Sequence, residues 1–195
     1  MEVQQTKPKG TGLAFAYVTT LFFAWGFATS LIDPLIAAVR KVFDLSTAEA
    51  MLTASAWFIA YAVVSVPAAA VLSKLGYSRS IISALAVMVL GCLIVPVATI
   101  LDWYPGVLIA LFVIASGVTL LQVAANPLVA ALGSRKSSHA RLNFSQFFNS
   151  LGTTLGPYLG ATVLLTGGVF ATGAVVTAAT RGESLRSIDL AFLGL

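Results

Sequence analysis

Long apolar runs separated by short polar ones set the pattern of this 195-residue chain. After a polar tail over 1–12, apolar stretches cover 13–39, 50–72, 81–101, 107–132 and 143–167, and a last one opens at 188–195. About 20 such residues cross the hydrocarbon core of a bilayer as a helix. The pattern therefore predicts five spanning helices and the start of a sixth. The first run is too long for the apolar core of a signal peptide, about 7–15 residues, and reads as a retained span. From 160 to 180 the chain is weakly apolar and rich in Gly, Ala, Thr and Val, and the charged RGESLRSID follows. Two divisions are open here: a thin sixth span after Leu165, or a long fifth span and then an external loop. Glycine weakens a helix, which favours the second.

Polar residues inside the apolar runs are the candidate chemistry. Gln122 and Asn126 stand four apart, as do Ser145, Asn149 and Thr153, with Gln146 beside them; on a helix, four apart means one face. Asp33 is the one acid within a clear span. Amides and acids in a bilayer are costly unless they face a cavity or a partner. Placing an aspartate there costs roughly 2.5–3.5 kcal/mol on insertion scales, which favours a functional role over a place near the outer end of a tilted span, within reach of water. Gln122, Asn126 and Asn149 also fit plain interhelical hydrogen bonds, and Asn126, beside carbonyls freed by Pro127, fits that role best. Gly152, Gly156 and Gly160 form a ridge of small residues that admits a second helix closely. Trp25, Trp57 and Tyr61 can stack on an apolar ring face, although lipid-facing or core packing is the commoner use of such rings.

Composition narrows the class. Only 9% of residues are charged and 58% are hydrophobic, with mean hydropathy +0.96, against roughly 25% charged in soluble domains. The net charge of +4 is a matter of topology rather than of nucleic acid. Lys7, Lys9, Lys74, Arg79, Arg135, Lys136 and Arg141 fall on one side of the spans, and Arg40, Lys41, Arg181 and Arg186 on the other. The positive-inside rule then puts the N-terminus in the cytoplasm. His139 is the sole histidine and Cys92 the sole cysteine, so neither a histidine-based metal cluster nor a Ser-His triad can be assembled. No enzyme, cofactor or metal is expected.

An internal repeat links the runs. Asp33-Pro34-Leu-Ile-Ala-Ala-Val aligns with Asn126-Pro127-Leu-Val-Ala-Ala-Leu, and Phe58 before Pro67 aligns with Phe148 before Pro157. Two copies of a three-span unit lie in the membrane in opposite senses, because three is odd.

The stretches FAWGFATSLIDPL (23–35), PAAAVLSKLGYSRSI (67–81), ASGVTLLQVAANPLVAALG (115–133) and RLNFSQFFNSLGTTLGP (141–157) carry a resemblance. In them the chain resembles the fucose, galactose and glucose proton symporter branch of the major facilitator superfamily, over about 13–195. The resemblance implies an all-α membrane protein, the N-terminal helical bundle of a facilitator with inverted three-helix repeats. It implies monosaccharide transport by alternating access in a bacterial inner membrane, coupled to a proton or sodium ion, with a C-terminal half as partner. Carried over, the sugar-binding residues are Gln122, Asn149, Asn126 and Gln146, and Asp33 carries the coupling proton. Proton-coupled fucose permeases have glutamate where this chain has Gln122 and an amide where it has Ile32. Those departures shift the expected substrate from fucose toward a glucose- or galactose-like hexose. Lys74, Tyr77 and Arg79 occupy the facilitator gating loop, whose usual acid is missing. The competing expectation is a non-transporting subunit or inactive remnant in which the amides only join helices.

Overall fold

The computed structural model of the chain describes residues 11–164 and 177–193, and within them every side chain but those of Ile32, Asp33, Leu35, Val163 and Leu164. Among the described residues, all regular structure is helical. The elements are α1 (Thr11–Ser30), α2 (Ile32–Val42), α3 (Thr47–Ile100), α4 (Tyr104–Ala131), a short 3-10 turn (Arg135–Ser137), α5 (Ser138–Leu164) and α6 (Ala178–Leu193). The choice between a thin sixth span and a loop after Leu165 falls on 165–176, outside the described residues.

One apolar run, 13–39, becomes two helices. The break lies at Leu31, and Pro34 sits in the first turn of α2, where its missing N–H is not needed. Its repeat partner Pro127 instead lies inside α4, near its end. The two prolines matched by the repeat thus do different work: one opens a helix, the other precedes a helix end.

At 54 residues, α3 would extend about 81 Å if straight, far beyond the roughly 30 Å hydrocarbon core. It is not straight. Gly76 has φ 73° and ψ 175°, a backbone state that a side chain strongly disfavours. This glycine divides α3 into a first leg (47–75) and a second leg (77–100), and α4 reports their directions. Thr53 and Tyr61 of the first leg meet Tyr104 and Gln122, so that leg runs parallel to α4. Ala98, Gly91 and Ala84 of the second leg lie against Gly106, Ile114 and Gly117, so that leg runs antiparallel. The chain therefore reverses at Gly76.

Packing follows the small residues. A methyl group added to Gly117 would sit 2.8 Å from Ala84 O, and one on Gly91 2.8 Å from Ile114 N. The second leg and α4 thus touch backbone to backbone. In the most apolar window of each helix, 61% of α4 is buried, against 33% of α1 and 28% of α3, which makes α4 the central helix. On the other side, α1 lies along the ridge Gly152, Gly156, Gly160. Phe27 meets Gly152, Ser30 meets Gly156, and Leu31 and Pro34 meet Gly160, so α1 and α5 run parallel. Exchanging the repeats turns the α1–α5 pair into the pair of α4 with the first leg of α3. Both pairs are parallel, as an inverted repeat requires.

By length and composition, α1, α3 and α4 are the described helices able to cross a membrane. At 27 residues α5 is long enough, but its amides and glycines lower its hydropathy, and Ser145, Gly152, Gly156 and Gly160 are buried against the bundle. Large apolar side chains such as Phe58, Val66, Ile82 and Ile100 are exposed, the reverse of a water-facing surface. Helix α6 starts at Ala178, well ahead of the Ile188 start read from hydropathy. Thr177 and Thr180 cap it reciprocally through backbone N–H groups and hydroxyls. Ser184, Ile188 and Phe192 bury one stripe at four-residue spacing. Hydropathy missed the early part of this helix because only that stripe is covered.

Candidate functional site

The amides picked out by their spacing form a band across four helices. On α4, Gln122 Nε2 donates to Tyr61 Oη of α3 at 2.8 Å. One turn on, Asn126 Oδ1 accepts from Gln146 Nε2 of α5 at 3.5 Å, the long end of the hydrogen-bond range. One turn further along α5, Asn149 Nδ2 donates to Phe22 O of α1 at 3.0 Å. Each of these amides is half-buried, so each has a partner yet is not sealed in the core.

Local sequence explains each link. Gly26 has no side chain to hold α1 away from Asn149; a methyl there would come within 2.7 Å of the Asn149 amide nitrogen. Asn149 reaches the Phe22 carbonyl across that gap. Beside it, the buried hydroxyls of Thr19 and Ser145 bond at 3.1 Å, and Ser30 Oγ donates to Phe27 O at 3.0 Å. Ser145, Asn149 and the glycine ridge are the face α5 turns to α1. Thr153, grouped with them by spacing, donates instead to Ser150 O of its own helix.

Asn126 is expected beside carbonyls freed by Pro127; the amide seen on a backbone carbonyl is Asn149, which clasps α1 at Phe22 O. Asn126 meets another amide. Gln122 and Gln146, one on each side of Asn126, complete the polar row. Asp33 lies near the start of α2, and its side chain is outside the described residues. Among the described residues, no group of three or more His, Cys, Asp or Glu is placed to hold a metal ion.

In three groups the structure gives residues partners that the sequence reading does not, since it treats Tyr61 and Trp57 only as rings able to stack. Tyr61 is the partner of Gln122, and Trp57, one turn earlier and nearly buried at 5% exposure, backs its ring at 6.2 Å between centroids. Arg141, counted only as a topology charge, holds the end of α4. Its guanidinium donates to Val129 O at 3.2 Å, Ala130 O at 2.7 Å, Ser134 O at 3.1 Å and Ser137 Oγ at 2.6 Å. Ala130 O is a helix-end carbonyl of the kind that lacks an intrahelical partner, whereas Val129 O also accepts from the capping Leu132 N–H at 3.3 Å. Gly133, at φ 96°, lets the chain leave α4 beneath it. At the opposite end of the bundle, Arg181 pairs with Asp102 and lies 5.6 Å from the centre of the Phe43 ring, while Thr99 Oγ1 donates to Asp189 Oδ1 at 2.8 Å. The general signal for such caps, a basic residue in the helix's own last turn, is absent for Arg141, because α4 carries none there and Arg141 lies on α5. No local signal exists for the Asp102–Arg181 pair.

Comparison with known proteins places this geometry. Residues 16–180 match the family model of the Major Facilitator Superfamily. A glucose/galactose transporter of Brucella abortus (strain 9-941) is 42% identical over 172 residues, 88% of this chain and 42% of the relative. The L-fucose-proton symporter of Escherichia coli K12 is 38% identical over 154 residues, 78% of this chain and 35% of the relative. Among solved structures, FucP in the outward conformation superposes with a TM-score of 0.78 at 30% identity, covering 95% of this chain and 46% of that one. The chain spans less than half the length of these relatives.

Proposed function

The chain belongs to the Major Facilitator Superfamily, and from that premise we propose that it is the N-terminal half of a monosaccharide permease. Membership makes it an integral membrane protein. In this reading it moves a glucose- or galactose-like hexose by alternating access, with a second half supplying the facing wall. The observation that carries the reading is the band Tyr61–Gln122, Asn126–Gln146 and Asn149, hydrogen-bonding side chains on apolar helices. Such groups can exchange donors and acceptors with sugar hydroxyls, and relatives at 42% and 38% identity are named for sugars. The N-terminus lies in the cytoplasm of a bacterial cell, with Arg141 and the 3-10 turn on that face.

Asp33 carries the coupling proton, since Gln122 cannot take one. In the protein that joins this chain to its second half, labelled glucose and galactose should accumulate in cells lacking their own permeases. Asp33→Asn should abolish accumulation yet leave exchange of internal for external sugar. Uptake no greater than in cells without the gene, for every hexose tried, would defeat the transport reading. Unchanged accumulation in Asp33→Asn would defeat only the coupling role.

A further inference from the structure

The hydrogen bond between Gln122 and Tyr61 leaves a particular chemistry free. Gln122 donates through Nε2 at 2.8 Å, so its Oε1 remains as an acceptor. Tyr61 accepts through Oη, so its own O–H proton remains to be given. One free acceptor and one free donor thus stand side by side. Both residues are half-buried, which leaves the pair within reach from outside the packed core. Trp57, buried beside Tyr61 with ring centroids 6.2 Å apart, limits the directions Tyr61 can take. A hydroxyl group both donates and accepts, and so fits this pair; an ether oxygen or a carbonyl can satisfy only the phenol.

We propose that Tyr61 is a specificity-determining residue: its O–H and the Gln122 carbonyl together read one hydroxyl of the transported sugar. The inference rests on the sugar-transport reading above. Tyr61 has two tasks here. It fixes the orientation of the amide, and it donates to the hydroxyl that the amide accepts from. A sugar lacking that hydroxyl leaves both groups unpaired and partly desolvated. Sites built to bond a substrate hydroxyl reject such analogues far more steeply than apolar pockets reject a size change. For a half-exposed pair the expected discrimination is about 10- to 100-fold in kcat/KM, below the fully buried limit of that rule.

The test uses the full-length protein, reconstituted in lipid vesicles, with uptake kinetics for galactose, glucose and a series of their monodeoxy analogues. The wild type should reject one analogue at least about tenfold. Tyr61→Phe should erase that discrimination for this analogue alone, chiefly through KM, with at most a small drop in thermal stability from the lost interhelical hydrogen bond. Gln122→Asn keeps the amide but is one methylene too short for Tyr61. It should repeat the effect, and the double variant should be no worse than either single one. Unaltered discrimination in Tyr61→Phe, or an equal rise in KM for every sugar, overturns the proposal and leaves the transport reading standing. Absence of sugar uptake by the wild type overturns both.

Discussion

Replacing Gly152 by alanine tests the packing that holds the amide band together. The added methyl would lie 2.7 Å from Phe27 N and closer still to Phe23 O. Both are backbone atoms and cannot swing aside. Helices α1 and α5 must separate by several tenths of an ångström at least, and overpacking of this kind costs about 1–3 kcal/mol. The separation also stretches Asn149 to Phe22 O, now 3.0 Å, and Thr19 to Ser145, now 3.1 Å. Polar contacts between membrane helices average about 0.6 kcal/mol each, so the total loss is about 2–4 kcal/mol. Alanine's better helix propensity, up to about 1 kcal/mol, works against that loss without cancelling it. Gly182→Ala is the matched control, since nothing lies within 4 Å of its added methyl, and it should be neutral or slightly stabilising. Unfolding by denaturing detergent in mixed micelles, followed by tryptophan fluorescence, measures both. Equal stability of the two variants would refute the close-contact reasoning, because the clash is the one large difference between them.

Arg141→Ala should free the end of α4. Hydrogen bonds from a charged donor are worth about 1.5–3 kcal/mol, and hydrogen exchange over 128–137 should rise sharply. Arg141→Lys should not restore protection, because an ammonium cannot reproduce the guanidinium fork. Asp102→Ala should cost under about 1 kcal/mol, as the two side chains are 33% and 56% exposed and such pairs are screened. The loss should shrink further in high salt, read by the same detergent titration. In the first turn of α3, ahead of the apolar run that begins at residue 50, hydrogen bonds from the Ser46 side chain and backbone hold Glu49 below the usual carboxylate range. A depressed folded pKa gives stability that is full above the ordinary glutamate value, near 4.3, and is lost as pH falls through the lowered one. Hydrogen exchange in the first turn of α3 should therefore rise in acid, and Ser46→Ala should weaken that dependence, leaving the share that the Ser46 backbone N–H supplies.

The amides were legible one by one, because a polar residue in an apolar run is conspicuous whatever surrounds it. Their partners were not. Gln122 and Asn126 share a face by helical periodicity, yet one meets Tyr61 on α3 and the other Gln146 on α5. Periodicity gives the face but not the neighbour. The glycine ridge announced a close helix contact without saying with which helix. The reversal at Gly76 also had only a partial signal: the basic KLGYSR marked a loop, whereas the helix continues on both sides of one left-handed residue. The early start of α6 was hidden because hydropathy averages over all faces, and α6 buries one stripe.

By itself the sequence determined the membrane class, the long apolar runs, the expected side for each loop and the resemblance to the facilitators. These depend on quantities that add along the chain: transfer of apolar residues out of water, loop charge, and runs of identity. Tertiary structure decided which amide bonds to which helix. It turned Asn149 into a clasp on α1, gave Gln122 a phenol partner, and made Arg141 the cap of α4. The clasp depends on how closely α1 and α5 cross, and that is fixed by Gly26, Gly152 and Gly156 acting on residues more than a hundred positions away. No local sum contains that information.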